Sequence, residues 1–159
     1  VISTASNSSD RDLCLALGAK AVVNHREEDW GQQVLVATSG KKVDRVIDVE
    51  FGANLPQILG CIAPNGVIAT YSSTQVKTPS LPFLDMMYMD LTLRMVIVYA
   101  MPESAKQAAI AAISIALEQE QLEHRVAHVV PLEKISKAHE LIEIGGFGGC
   151  VVVSMESSE

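Results

Sequence analysis

Short runs of β-branched residues alternate with amphipathic helical patterns along most of this chain, and little sequence separates one from the next. Residues 1–4, 21–23 and 43–49 read as strands, a fourth is expected at 67–71 after a Pro64-Asn65-Gly66 turn, and a fifth lies within 91–99. Ser9-Asp10-Arg11-Asp12 has the S-x-x-D form of a helix start, and Gly18 stops that helix. A second helix is expected over 27–38, with acids in its first turn and Trp30, Val34 and Ala37 on one face. The third has the clearest periodicity, with Leu55, Ile58, Leu59 and Ile62 at i, i+3, i+4 and i+7. Pro102 suits the first turn of a long Ala-rich helix over 103–121. Alternation of this kind, with right-handed crossovers, specifies an α/β fold: a doubly wound, Rossmann-like parallel sheet covered by helices on both faces.

The tail is organised differently. A strand at 127–131 leads into a helix at 132–144 with Ile135, Ala138, Leu141 and Ile142 facing inward. A glycine-rich turn at 145–149 ends it, and 151–153 is a last strand. The glycines follow a helix and do not match the dinucleotide-binding fingerprint.

Composition narrows the function classes. With 48% hydrophobic and 19% charged residues the chain has the make-up of a globular domain, and 159 residues suffice for a proper core. A net charge of -7 and the lack of a Lys/Arg cluster argue against nucleic acid as a partner. No apolar run approaches the roughly 20 residues of a membrane span. Cys14, Cys61 and Cys150 are odd in number and far apart, which fits reduced thiols in a cytoplasmic protein. They and the four histidines show no metal-ligand spacing. The first residues lack both an initiator Met and a signal-peptide pattern, so the chain reads as cut from something longer.

In a doubly wound sheet, ligands bind beyond the carboxyl ends of the strands, so the residues leaving each strand carry the information. After the first strand comes Ala5-Ser6-Asn7-Ser8, where NAD-binding domains place an acid for the ribose hydroxyls. Small hydroxyl side chains leave room for a 2′-phosphate; they also suit an ordinary helix-capping turn. His25, after the second strand, suits an adenine face or a phosphate, or is an unengaged loop residue. Asn54, after the third, orients a ribose or nicotinamide, or caps the helix beginning near Leu55. Ser72, Ser73 and Thr74, after the fourth, line the nicotinamide ribose or form a turn. Met86, Met87 and Met89 beside Phe83 and Tyr88 face an apolar substrate or belong to the core or an interface. No G-x-S-x-G, P-loop or G-x-G-x-x-G is present, and no residue stands out as a catalytic acid or base.

Leu17-Gly18-Ala19 with Val23-Asn24-His25-Arg26-Glu27, then Val43-Asp44, Val46-Ile47-Asp48, Asn54-Leu55 and Pro64-Asn65-Gly66, resembles the zeta-crystallin-type quinone oxidoreductases of the medium-chain dehydrogenase/reductase superfamily. Pro131-Leu132-Glu133-Lys134-Ile135 with Ala138-His139-Glu140 resembles the family's most specific C-terminal segment. The resemblance implies a zinc-free oxidoreductase that passes hydride from NADPH to a quinone-like acceptor. It places Ser6 near the 2′-phosphate, His25 and Asn54 near the adenosine and ribose, Tyr71, Ser72, Ser73 and Thr74 near the nicotinamide half, and Val96, Ile97 and Val98 on the far side. It divides the chain into a truncated NADP-binding domain, 1–124, and a segment, 125–159, that returns to a catalytic domain. It implies a homodimer paired through the strand that starts at Leu93 and reaches Tyr99. It puts the family's first strand and glycine-rich pyrophosphate turn before Val1, so the chain alone is expected to be inactive. Asp10 and Arg11 stand where family members often carry Lys, and Cys150 replaces a Lys. The alternatives are a non-catalytic crystallin-like or RNA-binding member of the family, and an S-adenosylmethionine-dependent methyltransferase, which ordinarily has an acid where Ser6 stands.

Overall fold

Alternating buried residues make the fourth strand the centre of a parallel sheet. In the computed structural model, which describes residues 1–155, β4 (Ile62–Thr70) buries Ile62, Gly66, Ile68 and Thr70. It is flanked by β3 (Val43–Asp48) and β5 (Thr92–Met95), both parallel to it, with Asp48 opposite Thr70 and Thr70 opposite Met95. A second parallel ladder joins β1 (Ile2–Thr4) to β2 (Ala21–Val23), with Thr4 opposite Val23.

Helices bind the two ladders into one core. Helix α3 (Phe51–Cys61) turns Phe51, Leu55, Ile58 and Cys61 inward, and α2 (Trp30–Ala37) adds Trp30 and Val34. Val23 of β2 and Ile68 of β4 reach the same cluster. Full burial of each large side chain there contributes about 1.5–3 kcal/mol. The two helices touch closely because Gly31 has no side chain: a Cβ there would lie 2.5 Å from the Gln57 carbonyl oxygen. The Gly31 N–H donates to Gln57 Oε1 at 3.0 Å, and Gln57 Nε2 donates to the Glu28 carbonyl. Helices α1 (Ser8–Ala16) and α4 (Phe83–Tyr88) complete this unit, Val1–Met101.

The second unit, Pro102–Glu159, holds α5 (Glu103–Glu118) and a parallel pair, β6 (Val126–Pro131) and β7 (Cys150–Ser154), connected through α6 (Ile135–Ile144). Among its described residues, Val130 and Ala138 are the buried apolar ones. The His128 and Phe147 rings meet edge to face, centroids 4.9 Å apart. The division expected at 124/125 falls within this unit.

Several expectations change. Helix α1 is capped by Asn7, whose side chain accepts from the Asp10 N–H, and begins one residue before the Ser9 start signal. Helix α2 starts at Trp30; Glu27 and Glu28 stay in the preceding turn, where Glu27 accepts from Asn24 and Gln33. Pro64-Asn65-Gly66 does not precede β4 but bulges inside it, between Ile62, paired with Val43, and Val67, paired with Arg45. Asn65 takes the positive φ of 61° that this bulge needs, and its N–H donates to the Met89 carbonyl at 2.8 Å. The expected strand at 93–99 keeps its ladder only to Met95, and residues 98–100 form a 3₁₀ turn. In the tail, Ile135 and Ile142 of α6 are exposed rather than inward, because a two-stranded sheet offers room mainly for Ala138. The Phe83-to-Met89 segment is a short helix ending in a core contact: Met89 packs against the central cluster while Phe83 and Tyr88 stay exposed.

Candidate functional site

The parallel registers bring the strand-exit residues together in two clusters. Because Thr4 pairs with Val23, the turns holding Ser6 and His25 leave β1 and β2 side by side. A cleft of about 360 Å³ lies there, lined by Ser6, Asn7, Ser8, Arg11, Asn24 and Glu27 among others. Asn7 accepts from the Asp10 N–H at 2.9 Å and donates from Nδ2 to the Asp10 carboxylate at 2.7 Å. Asn24 accepts from the Arg26 N–H and donates to Glu27. The cleft presents the Ser6 and Ser8 hydroxyls, the Asn7 and Asn24 amides and the Arg11 guanidinium, together with the Glu27 carboxylate, which accepts from Asn24 and Gln33. His25 is exposed beside it, outside the lining.

The second cluster forms where β3 and β4 end. Asp48, 7% exposed, is its base. Its Oδ1 accepts from Asn54 Nδ2 at 2.7 Å and its Oδ2 from the Glu50 N–H at 3.1 Å. Asn54 is therefore not the helix cap: it sits in the first turn of α3, its N–H donating to the Glu50 carbonyl, and its amide braces a buried carboxylate. The loop leaving β4 lies against the same helix. The Phe51 N–H donates to the Ser72 carbonyl at 3.1 Å and the Gly52 N–H to Ser73 Oγ at 2.9 Å. Glu50 accepts from Thr74 Oγ1 at 2.6 Å, Thr74 N–H at 3.0 Å and Gln75 N–H at 2.9 Å. The Thr74 hydroxyl first, then these backbone donors, hold the Glu50 carboxyl below the usual glutamate range.

Tyr71 is exposed at the mouth of this cluster. The Val96 N–H donates to the Thr70 carbonyl at 2.7 Å, which carries the chain past the end of β5 and leaves Ile97 and Val98 exposed. The structure thus places Ser6 and His25 at neighbouring strand exits, and Asn54 in one cluster with residues 71–74, to whose base Val96 is tied; Ile97 and Val98 continue beyond it, exposed. Sequence reasoning missed Asp48 and Glu50. The signal that could have found Asp48 is an acid at the last position of a strand, where burial makes it dependent on hydrogen-bond donors; no comparable signal marks Glu50.

The profile of the family described as zinc-binding dehydrogenase matches residues 1–114. The quinone oxidoreductase of Sus scrofa is 27% identical over 141 residues, covering 88% of this chain and 42% of that protein. A solved NAD-dependent alcohol dehydrogenase superimposes with a TM-score of 0.78 at 27% identity, covering 98% of this chain and 44% of the other. A mycobacterial protein solved in complex with NADPH superimposes with a TM-score of 0.78 at 22% identity, covering 96% and 49%. The chain spans 42–47% of the curated quinone oxidoreductases it matches. Among the described residues, no group of three His, Cys, Asp or Glu side chains stands where it could hold a metal ion. Nor is any described helix long and apolar enough to cross a membrane.

Proposed function

The chain belongs to the zinc-binding dehydrogenase family, and from that premise we propose that it is the cofactor-binding part of an NADPH-dependent quinone oxidoreductase. The observation that carries this reading is the cleft beyond β1 and β2, where Ser6, Ser8 and Arg11 offer hydroxyls and a positive charge at the position an NAD-binding domain gives to an acid. A 2′-phosphate needs such donors and is repelled by a carboxylate. In this reading Ser6 and Arg11 hold that phosphate and His25 flanks the adenosine. Asn54 supports the ribose through the Asp48 network, Tyr71, Ser72, Ser73 and Thr74 wall the nicotinamide half, and Val96, Ile97 and Val98 cover its far side. NADPH, when bound, supplies the hydride; this chain's residues orient it and keep water away, with none acting as acid or base.

The acceptor is a quinone-like molecule held mainly by parts of the protein outside these 159 residues. No glycine-rich turn follows a strand among the described residues, so we take the pyrophosphate cradle to come from elsewhere in the whole protein. The 159-residue chain alone then binds NADPH weakly and does not turn over. The reading includes a cytoplasmic homodimer paired along the free edge of β5, and a functional division at 124/125. The methyltransferase alternative has no support in the family match.

The test is a fluorescence titration of the full-length protein with NADPH and NADH, for the wild type and Ser6→Asp. The wild type is expected to prefer NADPH, and Ser6→Asp to lose that preference by about tenfold or more, as expected for losing a charge-assisted contact and adding a like charge. Wild-type preference for NADH, or no binding of either, overturns it.

A further inference from the structure

An acid at the N-cap of a helix ordinarily accepts from the first free N–H groups of that helix. Glu50 is the N-cap of α3 and makes no such bond. Both its carboxylate oxygens reach instead to the loop after β4, Oε2 to the N–H and hydroxyl of Thr74 and Oε1 to the Gln75 N–H. The loop returns the service: the Ser72 carbonyl and Ser73 Oγ accept the Phe51 and Gly52 N–H groups that Glu50 leaves free. Ser73 Oγ donates in turn to the Val76 carbonyl at 2.6 Å. Gly52 permits the contact, since a Cβ there would lie 2.7 Å from Ser73 Oγ and collide with the Val76 carbonyl. Helix and loop thus cap each other.

We propose that Glu50 is a positioning residue that latches the β4 exit loop to α3 and so sets the wall of the nicotinamide half of the site. The proposal rests on the cofactor reading above and divides the loop's labour. Ser73 and Thr74 use their hydroxyls inside the latch, as acceptor and donor to Gly52, Val76 and Glu50, and act as struts. Tyr71 and Ser72, whose side chains take no part in the latch, face the cofactor. The first two N–H groups of α3, those of Phe51 and Gly52, are already matched by the loop, so a phosphate cannot reach them without opening the latch.

Hydrogen–deuterium exchange on the 159-residue chain, for wild type, Glu50→Ala and Glu50→Gln, tests the latch without any cofactor. Glu50→Ala should speed exchange at the Thr74 and Gln75 amides by about tenfold or more, with Ile68 and Thr70 in β4 unchanged. Glu50→Gln, which retains one acceptor oxygen, should fall between. In the full-length protein Glu50→Ala should raise KM for NADPH with little change in kcat, and Thr74→Ser should behave as wild type while Thr74→Val follows Glu50→Ala. Unchanged amide exchange, or equal acceleration throughout β4, overturns the latch. Local acceleration with KM for NADPH unmoved overturns its positioning role. If the exchange result appears but wild-type full-length protein binds no NADPH, the latch stands and the cofactor reading falls.

Discussion

At the exit of β1 and β2, the side-chain bonds of Asn7 and Asn24 reach only two or three residues along the chain. At the exit of β3 and β4, Gly52 meets Ser73, and Glu50 meets Thr74 and Gln75, across 21 to 25 residues. Local bonds shape a turn but leave its position to the backbone. Long-range bonds fix one segment against another, and the ordering cost of both is met on folding rather than on binding. One half of the proposed site is therefore preorganised, and the other is a turn whose side chains can adjust to a ligand.

Breaking the foundation of the ordered cluster should have the largest effect. Phe51, 3% exposed, is both the first residue of α3 and a member of the central core. Phe51→Ala should cost about 3–5 kcal/mol in urea unfolding, the range for emptying an aromatic core site. Asn54→Ala comes next: it leaves the Asp48 carboxylate without its 2.7 Å donor and should cost about 1–3 kcal/mol in the same measurement. On the other side, Asn7→Ala removes a helix cap and should cost about 1 kcal/mol, with Asn7→Ser largely restoring it.

The smallest expected effect is local and depends on pH. Hydrogen bonds from Thr74 and Gln75 depress the Glu50 pKa in the folded chain. The latch is then at full strength above the pKa of an unfolded glutamate, about 4.3. It weakens only as pH falls through the lower folded value. The Thr74 and Gln75 amide chemical shifts should titrate with a midpoint below that of a peptide glutamate. A midpoint at or above the peptide value would remove the contrast between the two clusters.

Periodicity and capping chemistry made most elements legible. The stripe on α3 and the alternation of β4 reflect which faces must leave water, and this information is local. Element ends were harder to read. Asn7 rather than Ser9 caps α1 because both are good caps and only the backbone path selects one. Pro64-Asn65-Gly66 has the composition of a turn, yet β3 and Met89 hold it inside a strand. Asn54 is polar at a strand exit, which suits either a ligand or a cap; the structure gives its amide to Asp48, and that partner could not be read from the position alone.

The sequence by itself determined the alternation of strands and helices, the parallel α/β class and the absence of an acid at Ser6, because each depends on residues within a few positions of one another. Only the tertiary structure decided that Glu50 reaches Thr74, that Gly31 and Gly52 let helices and loop approach, and that Asn54 braces Asp48. Those pairings join segments tens of residues apart, and packing selects one partner among many chemically equivalent donors and acceptors.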